Sequence, residues 1–218
     1  MNRLALFDCD GTLIDSQVSI CLAMEAAFAR SGLSAPPRAS IRRIVGLSLI
    51  EAVARLIPDT DAALHAGIAA EYKSAFWQLR ADGMVDEPLF DGIADLLAHL
   101  AKEGWLLGVA TGKSDRGLAL ALDHHGLTDR FVTLQTADRH PSKPHPSMVA
   151  TAMAEAGAAP ETTVVIGDTS FDIAMALNAG ARAVGVAWGY HDTAELIRAG
   201  AHAIARRPAD LTDMLEAA

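Results

Sequence analysis

The sequence has few cysteines and lacks any segment with the composition of a leader or a membrane anchor. Cys9 and Cys21 are the only cysteines among 218 residues. A disulfide framework would need more of them, so we expect both to be reduced thiols. No apolar run is long enough to span a bilayer, and the first residues do not follow the signal-peptide pattern. These absences favour a cytoplasmic protein that does not bind membranes.

Repeats, low-complexity segments and an excess of positive charge are also missing. Leu, Ile, Val and Ala are plentiful, which disfavours disorder. The formal net charge of −9 disfavours binding to nucleic acids. A small anionic substrate would therefore need cations placed within its site. A chain of 218 residues can bury a core as one domain, or as one domain with an insert, and both a monomer and a homodimer stay open.

Apolar runs and helical patterns follow one another through most of the chain. Most of the runs are continuously apolar, as is typical of buried parallel strands. The order predicts an α/β fold with a doubly wound parallel sheet, a Rossmann-like core. The predicted strands are Arg3–Asp8, Trp105–Thr111, Phe131–Gln135, Thr163–Asp168 and Ala181–Ala187. The predicted helices among the later strands are Phe90–Glu103, Ser114–His125, Pro146–Ala156 and Ser170–Ala179, and a glycine follows each of them.

Residues 17–84 interrupt this order because they contain helical patterns and no strand-like run. Pro36, Pro37, Pro58 and Gly83 mark the joints between these patterns. We therefore predict an inserted all-helical cap domain over residues 17–84 and a Rossmann-like core formed by residues 1–16 and 85–218. The cap should stand over the carboxyl ends of the strands, where ligands bind in open α/β folds. The predicted cap helices are Gln17–Ser31, Ala39–Val45, Leu47–Leu56 and Asp61–Ala81.

Two aspartates follow the first predicted strand. Asp8 and Asp10 can point to the same side if strand geometry continues that far. Adjacent carboxylates repel each other unless a cation organises them. Further acids, a hydroxyl and a lysine follow other predicted strands, and such a set suits phosphoryl transfer assisted by Mg²⁺. These further residues are Thr111, Lys143, Asp168 and Asp172.

In order and spacing, these segments resemble the motifs of the haloacid dehalogenase-like hydrolase superfamily, and within it the phosphoglycolate phosphatase-like branch with a helical, C1-type cap. The resemblance covers nearly the full chain. It implies a Mg²⁺-dependent phosphatase that hydrolyses a phosphomonoester of a small metabolite through an aspartyl-phosphate, with phosphoglycolate as one candidate substrate. The matching segments are Asp8-Cys9-Asp10-Gly11-Thr12, Thr111-Gly112-Lys113, Ser142-Lys143-Pro144 and Gly167-Asp168-Thr169-Ser170-Phe171-Asp172.

The resemblance also implies a role for individual residues. Asp8 would be the nucleophile, and Asp10 would be the general acid and then the base toward water. Thr111 and Lys143 would act on the phosphoryl group, with Gly112 beside it. The implied Mg²⁺ ligands are Asp8, Asp10 through its backbone carbonyl, Asp168, and Asp172.

Cap residues near the core would select the leaving group. Arg43 and Gly46 are the predicted substrate-binding residues there, because an arginine facing the site would suit a carboxylate or a second phosphate. An exposed helix arginine without that role is the alternative. Tyr72, Phe76 and Trp77 belong to the last cap helix, where packing is favoured over contact with substrate.

Other functions stay open from the sequence alone. A sugar phosphomutase or a pyrophosphatase of the same superfamily would use a similar set of residues. A receiver-like signalling module and a non-enzymatic binder of phosphorylated metabolites are different classes. The helical insert opposes the receiver, and the intact pair of Asp8 and Asp10 opposes the binder. Lys113 is left open between a role in the site and a helix start that faces solvent.

Overall fold

A six-stranded parallel sheet forms the centre of the protein in the computed structural model, which describes residues 1–216. The strand order is β3-β2-β1-β4-β5-β6, and each neighbouring pair is parallel. The predicted doubly wound α/β fold is therefore confirmed. The strands are β1 Asn2–Phe7, β2 Trp105–Thr111, β3 Thr133–Thr136, β4 Ala158–Gly167, β5 Arg182–Val186 and β6 Ala203–Ala205.

The observed strands differ from the predicted ones mainly at their ends. β2 has the predicted bounds, and β1 and β5 each differ from their predicted bounds by one residue at both ends. β4 begins at Ala158 rather than Thr163, and β3 begins at Thr133 rather than Phe131. β6 was not predicted, because a three-residue edge strand is too short to produce a recognisable pattern.

Apolar side chains of β1 alternate between the two faces of the sheet. Ala5 and Phe7 belong to one buried cluster, and Leu4 and Leu6 belong to the other. This alternation is the two-residue period of a strand, and both faces are apolar because helices cover both. The helices of the core are α5 Ile93–Lys102, α6 Asp115–His124, α7 Ser147–Ala156, α8 Ser170–Asn178, α9 Thr193–Arg198 and α10 Asp210–Glu216, with a 3₁₀ turn at Thr128–Arg130.

Residues 17–84 form four helices and no strand. They share an apolar cluster of their own, which includes Met24, Phe28, Val53 and Ile68. The longest helix starts at an N-cap, because the Asp61 side chain accepts a hydrogen bond of 2.8 Å from Leu64 N. The division of the chain into a core and a cap domain, with boundaries at residues 16/17 and 84/85, stays a prediction. These helices are α1 Gln17–Arg30, α2 Arg38–Arg42, α3 Leu49–Leu56 and α4 Ala62–Ala81.

The two segments that connect residues 17–84 to the rest of the chain lie side by side. Ser19 Oγ donates to Asp86 O over 3.0 Å and accepts from Asp86 N over 2.9 Å. Asp15 N donates to Pro88 O over 2.8 Å. These three hydrogen bonds hold the two connecting segments against each other. Over residues 1–216, no helix has both the length and the apolar character that crossing a bilayer requires.

The strand order fixes where the polar residues after the strands can meet. β1 lies between β2 and β4, with Phe7 opposite Val109 on one side and Ile166 on the other. The carboxyl ends of these three strands therefore lie at one edge of the sheet. The residues that follow them face a common space beneath the helices of residues 17–84.

Candidate active site

Lys143 lies between two aspartates in a region closed to solvent. Its Nζ is 2.8 Å from Asp8 Oδ1 and 2.6 Å from Asp172 Oδ1. The residue is only 1% exposed. Burial alone would lower the pKa of Lys143, but Asp172 and Asp8 together raise it above its ordinary value. Lys143 is therefore a fixed cation in the site.

Asp8 directly follows β1, and its backbone N donates to Ile166 O over 2.8 Å. Burial raises the pKa of Asp8 to about 7; Lys143 opposes this rise and Asp172 adds to it. Apart from the ion pair to Lys143, neither carboxylate oxygen has a hydrogen-bond donor among residues 1–216. Buried polar atoms are normally paired, so the unpaired Oδ2 is available for a ligand or a reaction.

Asp168 follows β4 and is held from two sides. Thr12 Oγ1 donates to its Oδ1 over 3.0 Å, and Tyr190 N donates to its Oδ2 over 2.8 Å. Burial, with the charges of Asp8 and Asp172, raises the pKa of Asp168 well above its ordinary value. The Thr12 hydroxyl thus links the loop after β1 to the acid that follows β4.

Asp172 also shapes the start of a helix. Its Oδ2 accepts from Thr169 N over 3.0 Å and from Thr169 Oγ1 over 2.7 Å, which completes a capping box at the start of α8. Its Oδ1 remains directed toward Lys143. The helix start thus holds this carboxylate in one orientation beside the lysine.

The donor set of the buried acids fits a divalent cation. Asp8, Asp168 and Asp172 each offer an oxygen, and these oxygens lie within 4.8 Å of one another. If all three acids were ionised, their combined charge would exceed that of the single Lys143, and such buried charge is costly unless a cation compensates it. Carboxylate oxygens are the ligands that Mg²⁺ prefers. Asp10, the fourth predicted ligand, is not part of this side-chain group. Its predicted use of a backbone carbonyl stays a prediction.

The Asp10 side chain belongs to a second charged network. Its Oδ1 accepts a hydrogen bond from Ser16 Oγ and lies 3.0 Å from Lys113 Nζ. Lys113 Nζ is 2.8 Å from Glu87 Oε1, and Glu87 Oε2 is 2.7 Å from Arg80 Nη2. Lys113 is therefore buried against acids rather than facing solvent. Sequence reasoning missed Glu87, whose only sequence signal is its place in the segment that leaves the helical insert.

Thr111 is the last residue of β2, and Gly112 follows it beneath a loop of the helical insert. Thr111 is fully buried, and its Oγ1 accepts from Lys113 N over 3.2 Å. A Cβ on Gly112 would lie 2.5 Å from Leu47 O and 2.8 Å from Gly46 O. The backbone of this loop therefore packs directly on the glycine, and no side chain fits there.

Gly46 covers the carboxylate of Asp8. Its φ of +97° belongs to the left-handed region that favours glycine. A Cβ at this position would lie 3.3 Å from Thr169 Oγ1 and 3.9 Å from Asp8 Oδ2. The absence of a side chain thus keeps space open above Asp8.

Arg43 does not enter the site. Its Nη1 and Nη2 bind Glu195 Oε1 and Oε2 over 2.8 and 2.9 Å, and its side chain is 56% exposed. The guanidinium that the sequence predicted to bind substrate is therefore paired with the Glu195 carboxylate of α9. The sequence could not indicate this pairing, because Glu195 is distant from Arg43 along the chain.

A cavity of about 720 Å³ opens beside Asp10, between the helices of residues 17–84 and the loops that follow β2 and β3. Tyr72, Phe76 and Trp77 line it, although the sequence favoured packing for all three. Tyr72 and Phe76 also pack against the apolar cluster of these helices, so both interpretations hold for them. Trp77 is 38% exposed.

Comparison with known proteins agrees with this fold. The chain matches the haloacid dehalogenase-like hydrolase family over residues 5–186. It is 36% identical over 203 residues to "Probable phosphatase IndB" of Dickeya dadantii, covering 90% of this chain and 86% of that protein. It is 32% identical over 189 residues to "Phosphoglycolate phosphatase" of Xylella fastidiosa, covering 86% and 81%. A crystal structure of "a predicted phosphatase" from Clostridium acetobutylicum gives a TM-score of 0.88 at 26% identity, covering 99% of both chains.

The chain belongs to the haloacid dehalogenase-like hydrolase family. The predicted family is confirmed by these matches, and so is the predicted enzyme class, a phosphoric monoester hydrolase. The roles assigned to individual residues stay predictions.

Proposed function

We propose that the protein is a Mg²⁺-dependent phosphatase that hydrolyses a small phosphorylated metabolite through an aspartyl-phosphate on Asp8. The observation that carries this proposal is the unpaired, buried Oδ2 of Asp8, which belongs to a buried cluster that also holds Lys143 and two further carboxylates. A nucleophile needs a free oxygen, and the developing charge on the phosphoryl group needs fixed cations.

In the first step, an oxygen of Asp8 attacks phosphorus while the ester P–O bond breaks. Asp10 donates its proton to the leaving oxygen, which departs as an alcohol. In the second step, water attacks phosphorus and the bond to Asp8 breaks, while Asp10 takes a proton from that water. Inorganic phosphate is released and both aspartates return to their starting states.

Lys143, Thr111 and Gly112 are proposed to hold the phosphoryl group. Lys143 offers a buried ammonium, and Thr111 offers a hydroxyl at the end of β2. The oxygens of Asp8, Asp168 and Asp172, with the Asp10 backbone carbonyl, would hold Mg²⁺. When bound, this ion offsets negative charge on the phosphoryl oxygens and on the acids.

The substrate is proposed to be a small phosphomonoester. Phosphoglycolate is one candidate, because a relative at 32% identity carries that name. Lys143 can bind the phosphoryl group of any phosphomonoester. Substrates therefore differ in the leaving group. The helices of residues 17–84 and their cavity are proposed to select it.

The test is phosphate release from a panel of phosphomonoesters in Mg²⁺ and in EDTA. We expect turnover in Mg²⁺ that EDTA abolishes and that Asp8→Asn lacks. Asp129→Asn is the matched control, because Asp129 is an exposed acid in the 3₁₀ turn. Turnover by Asp8→Asn at the rate of the control would contradict the mechanism. Equal turnover in EDTA would contradict the metal dependence.

A further inference from the structure

The cavity begins at the residue that would meet the leaving oxygen. Asp10 lines its inner end, together with Gly112 and Lys113. If the phosphatase proposed above protonates the leaving oxygen with Asp10, the rest of the leaving group must extend from there into the cavity. A volume of about 720 Å³ lies within the range of about 300–1,000 Å³ that is usual for pockets holding drug-sized ligands. The leaving group of a two-carbon acid would leave most of it empty.

The wall formed by residues 17–84 is apolar and partly uncovered. Ile50 and Trp77 line the cavity with 55% and 38% of their surface exposed. Phe76 also lines the cavity, with its ring centre 5.8 Å from Lys113 Nζ and 5.9 Å from the ring centre of Tyr72. Apolar side chains that face a cleft gain free energy when an apolar ligand displaces water from them.

The two cations near the inner end, both partly buried, already have partners. Lys113 contacts Asp10 and Glu87, and Arg80 contacts Glu87. Arg80 is also placed over Phe76, with its guanidinium carbon 5.8 Å from the ring centre. A carboxylate on the leaving group would therefore have to compete with Glu87 for both cations.

The other cations that line the cavity, Arg116 and Lys73, are exposed to solvent, where an ion pair with a carboxylate contributes little. The Arg116 guanidinium carbon lies 3.4 Å from the centre of the Trp77 ring, so its face is stacked on the indole. Lys73 is exposed and keeps its hydration. Arg43, the residue predicted to bind such a carboxylate, is paired with Glu195 outside the cavity.

We propose that the cavity selects phosphomonoesters whose alcohol carries a flat, apolar aromatic group, in preference to esters of short hydroxy acids. Phe76 and Trp77 are the specificity-determining residues. The ring of the alcohol lies along their side chains, while the oxygen bonded to phosphorus stays at Asp10. This inference rests on the proposed phosphatase function.

The test compares kcat/KM for 2-naphthylmethyl phosphate, ethyl phosphate and 2-phosphoglycolate in Mg²⁺. All three release an alkoxide-type oxygen, so differences in the leaving group's electronic character are limited. A hydrophobic pocket gains roughly 10–200-fold per methylene-sized contact. We expect kcat/KM for the naphthylmethyl ester to exceed that for 2-phosphoglycolate by at least about tenfold.

Variants assign the selection to the aromatic wall. Trp77→Ala and Phe76→Ala should each lower kcat/KM for the naphthylmethyl ester by about tenfold, while ethyl phosphate changes less than about twofold. Trp77→Phe should retain most of the preference, because it keeps a ring. Ile197→Ala is the control, since Ile197 is an exposed apolar residue that does not line the cavity. Loss of the Arg116 stack alone would lower kcat/KM equally for all esters.

The possible results distinguish a failure of this inference from a failure of the proposed phosphatase function. Turnover in which 2-phosphoglycolate equals or exceeds the naphthylmethyl ester would overturn the inference and leave the phosphatase intact. An equal loss for all three esters in Trp77→Ala and Phe76→Ala would also overturn it. No turnover of any ester would overturn the phosphatase proposal and the inference together.

Discussion

The ammonium of Lys143 lies 2.8 Å from a carboxylate oxygen of Asp8, and both side chains are buried at the carboxyl edge of the sheet. Lys143 comes from the loop after β3, and Asp8 from the end of β1. The contact thus joins parts of the chain that are distant in sequence. It places a permanent cation beside an oxygen that has no other partner.

Removing this cation should destabilise the fold as well as the reaction. Lys143→Ala leaves Asp8 and Asp172 as buried acids without their common partner, and breaking a buried ion pair costs about 3–5 kcal/mol. We expect a loss of free energy of unfolding of about that size, measured with urea in EDTA. Lys102→Ala, at an exposed lysine on α5, is the control. An unchanged unfolding midpoint in Lys143→Ala would show that the buried pair is not formed.

The raised pKa of Asp8 predicts how stability depends on pH without a divalent cation. The folded value of about 7 lies above the ordinary value of 3.8, so the folded state holds a proton that the unfolded state releases. This stabilising contribution is fully present below pH 3.8 and is lost as the pH rises through 7. In EDTA, the free energy of unfolding of Asp8→Asn relative to the wild type should therefore increase between pH 4 and pH 8.

Added Mg²⁺ should reverse this trend in the wild type, because cation binding competes with the proton on Asp8. The stabilisation by Mg²⁺ should thus grow as the pH rises from 5 to 8. Urea unfolding of both proteins, with and without Mg²⁺, measures both effects. A difference between the proteins that does not change with pH would contradict the raised pKa.

The close approach of Gly112 to the loop of Gly46 and Leu47 predicts a loss of activity without a matching loss of stability. A methyl group on Gly112 would meet Leu47 O at 2.5 Å, so the loop must move away from the site. We expect Gly112→Ala to lower kcat/KM by at least about tenfold, since misplacement of about 1 Å can cost a hundredfold. Gly67→Ala is the control, because nothing lies within 4 Å of a Cβ there. An activity of Gly112→Ala equal to that of Gly67→Ala would argue against close packing of the loop.

The pairing of Arg43 with Glu195 can be separated from substrate binding by a charge exchange. Arg43→Glu places two acids together, which should weaken the contact between α2 and α9 and thereby lower kcat/KM. The double variant with Glu195→Arg restores opposite charges and should recover most of that loss in kcat/KM. The ion pair itself should contribute only about 0.2–1 kcal/mol to the free energy of unfolding, because it is exposed. Failure of the second substitution to recover activity would indicate that Arg43 acts on substrate directly.

Local sequence patterns predicted the sheet well, because its strands are continuous apolar runs bounded by helical patterns. The ends of β1, β2 and β4 were therefore placed closely enough to bring Asp8, Thr111 and Asp168 to one edge. The three-residue β6 has no such pattern. The early start of β4 at Ala158 also escaped prediction, because its first residues are only partly buried.

The contacts around Asp10 and the pairing of Arg43 could not be predicted, because they depend on residues that are distant in the sequence. Lys113 has the sequence of an ordinary helix start, yet Glu87 and Asp10 bury it. Arg43 has the sequence of a substrate-binding arginine, yet Glu195 binds it. Trp77 follows a helical spacing that suits packing, although its ring lines the cavity. In each case the deciding residue lies on another element.

The proposed mechanism depends on a covalent bond between Asp8 and phosphorus. The most direct measurement is mass spectrometry of the peptide that contains Asp8, after rapid acid quenching during turnover of p-nitrophenyl phosphate in Mg²⁺. The mechanism predicts a phosphoryl group on Asp8 in the wild type. It predicts more of that species in Asp10→Asn, because loss of the base should slow attack by water by about 10²–10⁴. Steady release of phosphate with Asp8 unmodified in both proteins would contradict it.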